Sequence, residues 1–108
     1  MQTIIQVVCA RGKSLRESIV RDGVIADFDL VVQSKSKHGR NLGWAKVRSK
    51  AVDRRGTLNI VWHADTNILS CRVVNRGAGR PNLILGDFVC YLFQRHHRRI
   101  RAVNIIPG

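Results

Sequence analysis

Carboxylates are the scarcest chemistry in this chain. Seven Asp and Glu stand against 19 Lys and Arg over 108 residues, a formal net charge of +12. The seven are scattered singly and none follows Asp87. Paired-acid catalysis and acidic magnesium clusters therefore have no support. Cysteine is thin as well. Cys9, Cys71 and Cys90 are odd in number, far apart and without C-x-x-C spacing, which argues against a zinc motif or a disulfide framework. Each lies in an apolar run, where a buried free thiol in a reducing cytoplasm is the plain expectation. Long hydrophobic runs are missing too. The apolar stretch after Met1 (TIIQVVC) has no basic leader and is too short for a signal peptide or a membrane span, so no membrane insertion is expected and a cytoplasmic location is the default.

Two further motifs fail on spacing. The segment ARGKS falls between an apolar run and a helical pattern, but a phosphate-binding loop needs a glycine five residues before Gly12, where Val7 stands. Adjacent His96 and His97 project in different directions and cannot share an ion in the i, i+4 manner of a helix. No metal and no cofactor is implied, and no catalytic residue is assigned.

What remains is a basic chain with a core. Hydrophobic residues make up 44% of it, which suits one folded domain over residues 1–108 and argues against disorder. Thr3 to Cys9 reads as a buried strand. Ser14 and Glu17 form a capping box ahead of a short helix with Leu15 and Ile19 on one face, ending near Asp22-Gly23. From Asp27 the period changes to two, with Phe28, Leu30 and Val32 facing inward. SKSKHGRN is then a basic hairpin tip, and Leu42 to Ser49 the returning strand. A second hairpin pairs Leu58, Ile60 and Trp62 with Leu69, Cys71 and Val73 around the turn HADTN. After the Gly- and Pro-containing loop 75–81, Leu85, Phe88, Val89, Leu92 and Phe93 fall at helical spacing. That run also alternates, so a strand over residues 83–98 is the competing assignment. Ala102 to Ile106 is a last strand before Pro107. The fold class is α+β: an antiparallel β-meander sheet with helical cover on one face, in the order β-α-β-β-β-β-α-β.

Charge and parity together nominate a site. On the strand Leu42 to Lys50, period two puts Trp44, Lys46, Arg48 and Lys50 on the side away from Ala45 and Val47. Neighbouring strands would add Lys35, Lys37, Arg72 and Arg76, with Asn59 and His63 between them. Cations neutralise phosphates and an indole stacks on a base, so such a face is a platform for single strands. Arg95, Arg98, Arg99 and Arg101, in the run QRHHRRIR, are flanking phosphate contacts. The competing account is a solvated sheet face and a helix end whose cations match the dipole.

The expected function is a non-catalytic nucleic-acid-binding module for RNA, single-stranded DNA or another polyanion. A small metal-independent ribonuclease built on His63 or His96 is the enzymatic alternative. A third reading is a homodimeric interaction or ligand-binding module. Its clue is an apolar excess at the last helix, where Ile84, Cys90, Tyr91 and Phe93 exceed what one helix face can bury.

Overall fold

Alternating apolar residues build the sheet as the strand patterns require. The computed structural model describes residues 3–33, 43–50, 56–74 and 81–107. Its strands are β1 (Ile4–Cys9), β2 (Leu30–Gln33), β3 (Trp44–Ser49), β4 (Thr57–His63), β5 (Ile68–Val74) and β6 (Ile100–Ile106). The helices are α1 (Leu15–Arg21) and α2 (Pro81–His96), with short 3-10 segments at Gly23–Phe28 and His97–Arg99. The element order matches the sequence expectation, and α2 is a helix, which removes the strand assignment over that segment.

All six strands form one antiparallel sheet in the order β2-β3-β4-β5-β1-β6. Strands β2 to β5 are the meander. The chain then returns through α2 to lay β6 outside β1. Ile5, Val7, Ala45, Val47, Leu58, Ile60, Leu69 and Cys71 are buried on one face beneath both helices. Leu15 and Ile19 of α1 and Ile84, Phe88, Tyr91 and Leu92 of α2 close the core from above. The opposite face carries no helix among the described residues.

Several boundaries depart from the sequence pattern, each for a local reason. Ser14 caps α1 by accepting from the Glu17 amide at 3.2 Å. Glu17 does not complete the box, because its carboxylate pairs with Arg16 and Arg21. The segment from Asp27 is not yet strand. The Asp22 side chain accepts from the Val24 amide at 3.1 Å and starts a further helical turn. That turn runs to Phe28 and ends at Asp29, whose φ is 60°. Phe28 thereby packs edge-on against Tyr91, with ring centroids 5.5 Å apart.

This extra wall changes the account of α2. Ile84 and Tyr91 are fully buried, so the apolar excess shrinks to Cys90 and Phe93, the latter half exposed. The three thiols divide likewise: Cys9 and Cys71 are buried and Cys90 is exposed. Burial raises the pKa of both Cys9 and Cys71, so these two stay as thiols. The hairpin tip with Lys35 and Lys37, and the loop with Arg76 and Arg80, lie outside the described residues.

Candidate functional site

Strand register determines which side chains share the open face. One row across the sheet reads Gln33, Lys46, Asn59, Arg72, Ile4, Ile106, each directly opposite the next. The adjacent row reads Trp44, Val61, Ser70, Gln6, Asn104. Arg48 stands one row to the other side, between Val31 and Thr57. Neighbouring strands lie about 4.8 Å apart, so Lys46 and Arg72, separated by Asn59, rise from backbones roughly 10 Å apart.

Four of the ten nominated residues, Trp44, Lys46, Arg48 and Arg72, are therefore on this one face. Trp44 is half-buried and Arg48 and Arg72 are exposed. Its placement has an anchor in α1. Arg16, 11% exposed, donates from Nε at 3.0 Å and Nη2 at 2.8 Å to the Trp44 carbonyl. That anchor joins residues 28 positions apart and had no signal in the sequence.

The other six divide differently. Lys50 is exposed just past β3, with its amide bonded to the Asp29 carbonyl. Arg76 is outside the described residues. Arg95 is engaged on the helical side, donating to both Asp22 carboxylate oxygens at 3.0 and 3.1 Å. Arg99 turns back onto the loop after β1 and bonds the Lys13 carbonyl. Arg98 is exposed in the second 3-10 segment, and Arg101 is the exposed extra residue of the β1–β6 bulge.

The electrostatics of the two sides differ. Every ion pair among the described residues (Arg16–Glu17, Arg21–Glu17, Arg95–Asp22 and the His96–Asp22 contact) is on the helical side. No described carboxylate stands on a strand of the open face. Lys46, Arg48 and Arg72 thus project a positive field from strands that carry no described carboxylate.

Between the rows lies a groove of about 490 Å³, lined by Ile4, Trp44, Asn59, Val61, His63, Ser70 and Arg72 together with Cys71. Val61 and Ser70 share the outward parity of Asn59 and Arg72, whereas Ile4 joins them only because β1 pairs with β5. Asn59, His63 and Ser70 make no side-chain hydrogen bond among the described residues, so their polar atoms are free to meet a ligand.

A second polar cluster sits on the other face. Tyr91 donates its hydroxyl proton to Asp22 at 3.0 Å, and His96 Nε2 lies 2.7 Å from the same hydroxyl oxygen. With the tyrosine proton given to Asp22, His96 donates through Nε2–H. Arg95, then the Val24 amide and Tyr91, hold the Asp22 carboxyl below the ordinary range against the opposing effect of burial. Burial likewise lowers the His96 pKa, opposed by the Asp22 charge. These groups are saturated by one another and tie α2 to the end of α1. His63 is in the groove and His96 in this cluster, so the two histidines do not meet.

Among the described residues no group of His, Cys, Asp and Glu could hold a metal ion, and no helix is long and apolar enough to cross a membrane. No family model, curated protein or solved structure matches this chain.

Proposed function

We propose that the protein is a non-catalytic module that binds single-stranded nucleic acid on the open face of its sheet. The observation that carries this reading is the separation of charge. Carboxylates neutralise Arg16, Arg21 and Arg95 on the helical side, whereas Lys46, Arg48 and Arg72 share a face with Trp44 and no acid among the described strand residues. Cations around a half-buried aromatic on an open sheet face suit a polymer whose phosphates and bases alternate. A duplex offers its bases only through its grooves, so a sheet face with an aromatic favours single strands. The three unbridged cysteines agree with a reducing, cytoplasmic setting.

Fluorescence anisotropy with single- and double-stranded DNA and RNA, titrated with salt, tests the reading. Three phosphate contacts at about 0.7 per contact give a log–log slope near −2 for single strands. Lys46→Glu with Arg48→Glu should abolish binding. Equal binding by that variant, or no binding of any polymer near 0.1 M salt where screening is substantial, would refute the reading.

A second copy of the chain is the partner supported by a separate observation. Strand β6 forms a sheet edge with no neighbour among the described residues, and Ile105 and Ile106 on it are 45% and 53% exposed. Edges this apolar are normally covered or guarded by charge. Antiparallel pairing of two β6 strands would extend the sheet and double the basic face. Sedimentation should then show a dimer that Val103→Pro converts to monomer, and a monomer at all concentrations would refute it.

A further inference from the structure

The groove brings together more than charge. Its floor is Val61 and Ser70, directly opposite each other on β4 and β5. On one side stands Trp44 of β3; on the other, Arg72 of β5 with Ile4 beyond it. Trp44 and Arg72 stand two strands and one row apart, about 12 Å at the backbone. A planar ring held at van der Waals distance from both walls takes about 7–8 Å. Both side chains line the groove, so a ring entering it meets the indole on one side and the guanidinium on the other.

The groove also has direction. Asn59 lies at one end and His63 at the other, with the Ser70 hydroxyl on the floor. Together they offer an amide donor and acceptor, an imidazole and a hydroxyl, all without partners among the described residues. Lys46 and Arg72 flank Asn59 in the same row, so a phosphate attached to the inserted ring would meet a cation on either side. A groove of about 490 Å³ lies within the range of small-ligand pockets. It suits one nucleotide of a strand.

We propose that this groove is a slot for a single unpaired nucleobase of a bound strand. The base is stacked between Trp44 and Arg72 and read along its edge by Asn59, Ser70 and His63. The inference rests on the single-strand reading above and goes further, because a slot of this kind discriminates between bases whereas a charged face does not.

The experiment uses a Trp62→Phe background, in which Trp44 is the sole tryptophan, and short RNA homopolymers of each of the four bases beside the four free mononucleotides. One homopolymer should bind at least about tenfold tighter than the weakest, the size of one good edge contact, and quench Trp44 most strongly. Asn59→Ala and, separately, Ser70→Ala should shrink that spread to about twofold. Trp44→Phe should retain binding that Trp44→Ala loses. These side chains face away from the core, so the variants keep the fold, which circular dichroism verifies.

Equal binding of all four homopolymers, unchanged in Asn59→Ala, would overturn the slot while the platform stands, provided Lys46→Glu with Arg48→Glu still abolishes binding. A mononucleotide that binds as tightly as its homopolymer overturns the strand-borne ligand. Absence of binding by every homopolymer overturns both slot and platform.

Discussion

Replacing Asp22 by alanine would remove four polar contacts at once. Its carboxylate caps the 3-10 segment at the Val24 amide, accepts from Tyr91, and takes two bonds from Arg95. The cap is worth about 1 kcal/mol. Tyr91 keeps His96 as a partner, so losing one of its two bonds costs about 1 kcal/mol. Arg95 is 44% exposed, so solvent screening keeps that pair's share small. The expected loss is thus about 2–3 kcal/mol, or a fall in Tm of roughly 10–20 °C for a domain of this size. Asp22→Asn, which keeps a capping oxygen, should lose about half as much. The pH dependence has a definite sign. Because the folded carboxyl titrates below its unfolded value, its contribution is complete above pH ~4 and is lost as pH falls through the folded value. Urea melts at neutral pH, repeated down to acid, read both effects. A neutral-pH loss under about 0.5 kcal/mol, or a gap between the two proteins that does not narrow in acid, would refute the reasoning.

Three other expectations follow from the same geometry. Arg16→Met should cost about 1–2 kcal/mol, since it strips two charge-assisted bonds from the Trp44 carbonyl; it should also broaden and red-shift Trp44 emission, and unchanged emission would count against the anchor. His96 titrates below the ordinary imidazole value because it is half-buried, so its contribution to stability is present above pH ~6.5 and declines on acidification. His96→Gln should flatten the stability profile between about pH 7 and 5, and an identical slope would dismiss the histidine as its source. Ellman's reagent should modify only Cys90 rapidly in the native protein, with Cys9 and Cys71 reacting after unfolding; rapid loss of two thiols would contradict the burial pattern.

The elements legible in the sequence are those whose signal is periodic and local. Period two over Leu58 to Val73 specifies β4 and β5 and also which of their residues face away from the core. The same parity assigns Trp44, Lys46 and Arg48 to one side of β3. Contacts across the chain are another matter. Nothing around Gly23 to Phe28 announces a helical turn, because the group that starts it, the Asp22 carboxylate, is held from 73 residues away by Arg95. Tyr91 reads as surplus on α2 until Phe28 supplies its wall. Arg95 and Arg99 look like their exposed neighbours in a basic run, and only tertiary partners (Asp22 and the loop after β1) distinguish them. The groove was legible in part. Trp44, Asn59, Val61, His63, Ser70 and Arg72 follow from parity, whereas Ile4 needed the knowledge that β1 inserts between β5 and β6.

The bare sheet face has a consequence for how this protein can change. Along β4 the residues at 58, 60 and 62 are sealed under the helices, while those at 57, 59, 61 and 63 face outward. Interior and open face are thus written in alternate letters of the same strands. A substitution in one register leaves the other nearly untouched, so the outward register can be rewritten at little cost in stability. Two proteins descended from such a chain could therefore share an interior and bind unrelated ligands.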